Sequence, residues 1–189
     1  MTQEVIPILS LWQPILASSV LIFAASSIVH MVFKYHNKEF RQLPSEEATL
    51  ETLHQAGVSP GLYHFPHCAS PQDMAKPEVA AKYARGPVGF LTVVASGVPN
   101  MGKYLIQWFL YIVLVGVFLA YLAGRTFGAG EHYLTVFRFV GTAAFLTYGV
   151  SSMIDSIWKG APWSATCKHV FDGLVYSLLA AGVFGWLWP

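Results

Sequence analysis

The sequence predicts an all-α membrane protein, with four transmembrane helices in a bundle and a cytoplasmic insertion between the first and the second. Charged residues make up only 11% of the chain and hydrophobic residues 54%, whereas soluble domains carry about 25% charged residues. Residues 104–124 contain no charged side chain, and Gln107 is their single amide. A helix of this length, rising about 1.5 Å per residue, crosses the roughly 30 Å hydrocarbon layer of a bilayer.

Three other apolar runs have the length and composition of membrane spans. We expect the four spans at about 11–33, 104–124, 133–153 and 167–188. Together they form a single integral membrane domain, residues 1–189. Pro14 falls in the first turn of the first run, where its missing backbone N–H costs nothing. Residues 1–10 contain no Lys or Arg, unlike the basic start of a signal peptide, so we expect the first run to be retained.

The polar section between the first two spans, residues 34–103, has its own secondary-structure signals. Acidic residues in the first turn and a terminal glycine predict a short helix at 46–56, and a second one is expected at 77–85. Residues 90–96 are rich in β-branched side chains and need either a partner strand or a membrane surface to lie on. Asn100 can cap the second span.

The distribution of basic residues predicts the orientation in the membrane. Nine Lys and Arg residues lie in 34–103 or in the connection between the third and fourth spans, and only Arg125 lies on the opposite side. By the positive-inside rule, 34–103 is cytoplasmic and both termini lie outside the cytoplasm. The net charge of +1, without a basic stripe, argues against nucleic acid as a partner and leaves the lipid bilayer as the expected surroundings.

Two spans carry small residues at every fourth position, a pattern that lets helix backbones approach closely in lipid. The stripes could pack on each other, on the remaining spans, or on a membrane protein partner or a second copy of the chain. The packing residues are Gly116, Ala120 and Gly124 in the second span, and Gly173, Ser177, Ala181 and Gly185 in the fourth.

Four titratable residues are predicted to reach the same inner boundary of the membrane: His30, Asp155, Asp172 and His169. The first three each lie one helical turn from a lysine that marks the interface, and the last lies beside Lys168. Such groups are costly at that depth and usually face the protein interior. They could relay protons, bind a divalent metal or hold a lipid headgroup. Alternatively, the aspartates form simple ion pairs with lysines four residues away.

A second group of donors lies in the motif HFPHC, which supplies His64, His67 and Cys68. Their spacing matches no standard zinc site, so an exposed aromatic loop is the alternative to metal binding. A b-type haem between His30 and His169 is disfavoured because both residues lie close to the membrane boundary. The sequence therefore identifies no particular cofactor.

The chain lacks the motifs GxxxxGK[ST], HExxH, GxSxG and GxGxxG, which weakens an enzymatic interpretation. Two hypotheses follow. The first is a non-enzymatic accessory or scaffold subunit, which suits the small-residue stripes. The alternative is a small transport or metal-handling membrane protein that uses the His and Asp side chains at the cytoplasmic boundary.

Four stretches resemble an uncharacterised family of small bacterial four-helix inner-membrane proteins. These stretches are WQPILASSVLIFAASSIVHMV, GPVGFLTVVASGVPNMGK, SSMIDSIWKGAPWS and GVFGWLWP. The resemblance implies a bacterial origin and a location in the cytoplasmic membrane. It implies no activity and no catalytic residues.

Overall fold

The computed structural model describes residues 5–189, and the chain is mostly helical. Residues 1–4, part of the N-terminal stretch without a basic signal region, lie outside the described residues. Four helices are long and apolar enough to cross a membrane, which indicates a multi-pass membrane protein. These are span 1 (Ile8–Phe33), span 2 (Met101–Thr126), span 3 (Tyr133–Lys159) and span 4 (Trp163–Trp186).

The chain divides into two compact units. One contains the described residues up to Glu39 together with Asn100–Pro189, and therefore all four spans. The other is Phe40–Pro99. Within the first unit, span 1 packs against spans 2 and 4, and span 3 packs closely along span 4. The buried side chains at these contacts are mostly Leu, Ile, Val and Ala.

Polar residues at the ends of the apolar runs determine where the helices begin and end. Span 2 begins at Met101 because the side-chain oxygen of Asn100 accepts a hydrogen bond from the backbone N–H of Lys103 at 3.1 Å. Span 3 continues through a 3-10 turn, Val150–Ser152, into a final helical stretch, Met153–Lys159. Hydropathy detects the apolar centre of a span better than its polar ends, so all four helices are longer than the runs that predict them. Span 4 begins at residue 163 instead of 167 and ends at 186 instead of 188.

The small-residue stripe of span 2 lies against span 1. A methyl group placed on Gly116 would come 3.2 Å from the Ile15 side chain. One placed on Gly124 would come 2.7 Å from the backbone oxygen of Ile6, whose own N–H donates to the Gly124 carbonyl at 3.0 Å. Ala120, between the two glycines, is fully buried. Small side chains therefore let these backbones touch.

The stripe of span 4 lies against span 3, so the two stripes pack on different partners and not on each other. A methyl group on Gly173 would come 2.4 Å from the Cα of Gly149. One on Gly185 would come 2.8 Å from the Tyr133 ring. Ser177 and Ala181, which complete the stripe, are buried.

The second unit, Phe40–Pro99, contains two short helices and an antiparallel pair of strands that are distant in the sequence. The helices are Glu46–Gln55 and Pro77–Arg85. Strand β1 (Gly61–Phe65) pairs antiparallel with strand β2 (Gly89–Val93). The β-branched segment thus finds a partner strand, one that the sequence analysis did not identify.

Candidate functional site

The backbone at the end of span 1 positions the central residue of the site. Span 1 ends in a π-helical turn, Val29–Phe33, a form often found at functional sites. Lys34 then adopts a left-handed conformation with φ 51°, which is uncommon for a residue other than glycine. This change of handedness ends the helix and starts a 3-10 turn, Tyr35–Lys38, which carries His36.

The ring of His36 lies between two carboxylates. Its Nε2 is 2.7 Å from Oδ2 of Asp172, in span 4, and its Nδ1 is 2.6 Å from Oε1 of Glu39. Only 3% of Asp172 and 9% of His36 are exposed. Both contacts are short enough to be charge-assisted hydrogen bonds.

Proton counting restricts the state of this trio. A neutral imidazole has one N–H and one lone pair, so it cannot donate to two carboxylates at once. The contacts of His36 are satisfied if the ring is protonated, or if the ring is neutral and Asp172 carries the proton. Both forms have the same net charge and differ only in where one proton lies between Nε2 and Oδ2.

Burial and neighbouring charges shift the pKa values of the two titratable groups that follow span 1. Desolvation lowers the pKa of His36 below its ordinary value, and the hydrogen bond and charge of Glu39 oppose this only in part. Burial alone would raise the pKa of Glu39, but the hydrogen bond from His36 and the nearby cationic groups outweigh it and hold that pKa below its usual value. In either form of the trio, Nδ1 of His36 donates to Glu39.

Two further histidines flank His36. The rings of His30 and His36 are stacked with centroids 4.7 Å apart, and those of His36 and His169 with centroids 5.0 Å apart. The Nδ1 of His30 donates to the backbone oxygen of Ser26 at 2.9 Å, which leaves the Nε2 lone pair of His30 free to bind an electrophile. Because the His36 ring lies between His30 and His169, no space for a porphyrin remains between them.

Other polar contacts join the end of span 1 to span 4. The Tyr35 hydroxyl donates to Oδ1 of Asp172. The Lys168 ammonium donates to the backbone oxygen of Tyr35 at 2.7 Å and lies 3.5 Å from Oε1 of Glu39. Nε2 of His169 lies 3.4 Å from the other oxygen of Glu39. These groups offset the negative charge of the two carboxylates.

Two overlapping sets of metal-binding donors result. In one set, single donor atoms of His30, His36 and Asp172 lie within 4.8 Å of one another, and in the other those of His36, Glu39 and His169 do. Imidazole nitrogens and carboxylate oxygens are the donors that zinc, copper, nickel and iron use in proteins. We call these five residues the His–carboxylate cluster: His30, His36, Glu39, His169 and Asp172.

The structure brings together three of the four residues predicted at the inner boundary. His30, His169 and Asp172 belong to the His–carboxylate cluster. Asp155 does not, because its Oδ1 lies 2.7 Å from Nζ of Lys159 in a local ion pair whose two side chains are more than half exposed. The lysine predicted to pair with Asp172 turns instead toward Glu39.

Sequence reasoning missed His36 and Glu39. Both follow span 1 at the start of the polar section 34–103, of which the sequence analysis singled out only two short helices, a β-branched segment and Asn100. The signal that could have identified them is the spacing of a histidine and a glutamate three residues apart, immediately beyond a span end. Even so, their position depends on the left-handed conformation of Lys34, which the spacing of residues in the sequence does not predict.

The residues of the HFPHC motif are used differently. His64 lies in β1, with its ring centroid 4.7 Å from that of Phe90. The Cys68 thiol donates to the Tyr83 hydroxyl, which donates in turn to the backbone oxygen of Pro66. His67 is exposed. Among residues 5–189, these three donors do not meet in a cluster of metal-binding side chains.

Comparison with known proteins finds no matching protein-family model, no matching curated protein and no matching solved structure. The functional proposal therefore rests on the geometry of the His–carboxylate cluster.

Proposed function

We propose that this chain is a metal-handling protein of the bacterial cytoplasmic membrane that binds a divalent transition-metal ion at the His–carboxylate cluster. One observation carries the proposal: His36 is held between the carboxylates of Asp172 and Glu39, with His30 and His169 stacked at its sides. Ionisable side chains at a membrane boundary are costly, and their convergence there is usually functional.

The chemistry of the donors supports zinc or another ion of similar softness. Three imidazoles and two carboxylates provide nitrogen and oxygen ligands and no thiolate. The hydrogen bond from His30 to the Ser26 carbonyl fixes the His30 tautomer, as outer hydrogen bonds do for histidines that bind metals.

The proposed topology places the cluster on the cytoplasmic side. We infer that the four spans form a bundle, that residues 34–103 are cytoplasmic, and that both termini lie outside the cytoplasm. The nine-to-one distribution of basic residues supports this orientation. The resemblance to bacterial inner-membrane proteins supports the bacterial cytoplasmic membrane as the location.

A second candidate function is a non-enzymatic accessory or scaffold subunit with a membrane protein partner or a second copy. In the part of the chain that the structure describes, every buried side-chain nitrogen and oxygen atom has a hydrogen-bond partner. A polar network that is complete in this way is sufficient to hold span 1 against span 4 without any bound ligand. Both stripes are occupied by contacts within the chain, so a partner would bind elsewhere.

Metal analysis of the full-length protein separates the two candidates. Protein without a histidine tag is purified in mild detergent, stripped with a chelator and equilibrated with Zn²⁺. We expect the wild type to retain zinc and Asp172→Asn to retain less of it while staying folded. Asp155→Asn is the matched control, because it makes the same chemical change at an exposed carboxylate. A wild-type protein that retains no zinc would favour the scaffold function.

A further inference from the structure

The geometry points to a dinuclear site, in which the ring of His36 bridges two transition-metal ions, one on each ring nitrogen. This inference rests on the proposed function and specifies how many ions the cluster holds and how they are joined. It follows from the fact that His36 belongs to both donor sets.

The first subsite lies on the Nε2 side of His36. Asp172 is the carboxylate there, with Oδ2 at 2.7 Å from Nε2. His30 contributes its Nε2, since its Nδ1 is committed to Ser26. Three protein ligands and a water molecule would complete a tetrahedral zinc site. The side chains must move for this, because their donor atoms are up to 4.8 Å apart and zinc–nitrogen bonds are about 2.0–2.1 Å long. The His30 ring, stacked nearly parallel to that of His36, must also turn until its lone pair points at an ion in the plane of the His36 ring.

The second subsite lies on the Nδ1 side of His36. Glu39 is the carboxylate, with Oε1 at 2.6 Å from Nδ1. His169 contributes its Nε2, which is 3.4 Å from the other oxygen of Glu39. The side chain of His169 is 47% exposed, so an ion can reach this subsite from outside the protein.

One ion cannot use both carboxylates through His36. The two nitrogens of an imidazole ring direct their lone pairs away from each other, so each serves a different ion. Asp172 lies on one edge of the His36 ring and Glu39 on the other. With a single ion on Nε2, Glu39 would instead hold the Nδ1 proton of His36 as an outer hydrogen-bond partner, so the number of bound ions distinguishes the two arrangements.

Charge and protons balance for the bridged form. The His36 contacts with Asp172 and Glu39 hold two protons, and two incoming ions release both to solvent. The ring becomes an imidazolate, which with two carboxylates gives three negative charges against four positive charges from the ions. Lys168, which lies beside Glu39 in the structure, is 31% exposed and can turn into water when an ion takes its place.

The direct test is the stoichiometry of zinc in the stripped and reloaded full-length protein without a histidine tag. We expect about two zinc ions per chain for the wild type and about one for His30→Ala and for His169→Ala, because each of these histidines serves one subsite. His36→Ala should lose both ions. His64→Ala and Asp155→Asn, both outside the cluster, should keep two and so exclude adventitious surface sites.

The outcomes separate this inference from the proposed function. A wild type with one ion, lost in both His30→Ala and His169→Ala, would overturn the bridge and leave metal binding standing. A wild type with no ion would overturn both. Two ions that persist in His36→Ala would show separate sites without a bridge.

A magnetic measurement keeps the test valid if His36→Ala fails to fold. Two Cu²⁺ ions joined by an imidazolate couple antiferromagnetically, so the copper-loaded wild type should give far less paramagnetic signal than its copper content predicts. His169→Ala, with a single copper, should give the full signal. A full, uncoupled signal from two coppers in the wild type would contradict the bridge.

Discussion

Asp172 lies 2.7 Å from His36, although 136 residues separate them in the chain. The contact depends on two local features. Lys34 ends span 1 in a left-handed conformation, and the 3-10 turn that follows carries His36, which contacts Asp172 in span 4. Gly173, the next residue after Asp172, holds span 4 directly against Gly149 of span 3. The polar cluster and the helix packing are therefore parts of the same local structure.

Replacing the buried carboxylate should weaken the fold more than replacing the exposed one. Asp172→Asn replaces one of the two carboxyl oxygens that Tyr35 and His36 contact, and we expect it to lower the free energy of unfolding by about 1–3 kcal/mol. Asp155→Asn should change it by less than about 0.5 kcal/mol, because its ion pair is exposed. Thermal unfolding in detergent, measured without added metal, provides the comparison. Equal effects of the two substitutions would refute the assignment of Asp172 to a buried network.

The contact between spans 3 and 4 should not accept even one methyl group at Gly173. A Cβ there would meet the Gly149 backbone at 2.4 Å, and backbone atoms cannot move aside as a flexible side chain can. We expect Gly173→Ala to destabilise the protein by about 1–3 kcal/mol. Gly182→Ala, on the same helix, is the control because its Cβ would meet nothing closer than 3.9 Å. If both substitutions leave the unfolding temperature unchanged, spans 3 and 4 do not approach each other closely at Gly173.

The stripe of span 2 should be sensitive to bulk for the same reason. Gly116→Leu and Gly124→Leu force a large side chain into the contact with Ile15 and Ile6. Val117→Leu adds bulk at a neighbouring, partly exposed position, so it should be mild. The measurement is the yield of monodisperse protein by size exclusion in detergent, together with its unfolding temperature. Similar results at all three positions would show that the stripe is not an interface.

The proposed topology makes a prediction about labelling. In a background with Cys68→Ser and Cys167→Ser, a thiol at Ala129 should react with a membrane-impermeant reagent added to intact cells. A thiol at Glu51 should react only after the cells are opened, because residues 34–103 are proposed to be cytoplasmic. Both positions are exposed, so accessibility within the protein does not confuse the comparison. Labelling of Glu51→Cys alone in intact cells would show that the orientation in the membrane is the reverse of the proposed one.

Hydropathy was sufficient to locate the four long helices, since each has an apolar centre that few other structures allow. The sequence also predicts the depth of a residue along its helix, and it placed His30, His169 and Asp172 at the same depth. The sequence does not show how each helix is rotated about its own axis. The prediction therefore placed Asp155 in the cluster, whereas in the structure this residue is exposed and pairs with Lys159. The small-residue pattern identified helix contacts, but only the structure pairs each stripe with its partner.

His36 and Glu39 could not be placed from the sequence because their position depends on one backbone conformation. A lysine in the left-handed region is uncommon, and no local pattern around Lys34 predicts it. Strand β1 was missed for a related reason. Its residues alternate little in hydrophobicity, and it becomes a strand by pairing with β2, which is far away in the sequence.

X-ray absorption spectroscopy of the zinc-loaded, full-length protein tests the central claim most directly. If zinc binds at the His–carboxylate cluster, the first shell contains only nitrogen and oxygen at about 2.0–2.2 Å, with the outer-shell scattering of imidazole rings. The same spectrum should be obtained from Cys68→Ser, since Cys68 lies outside the cluster. A sulfur ligand at about 2.3 Å, or a shell without imidazole, would place the metal elsewhere and contradict the proposed function.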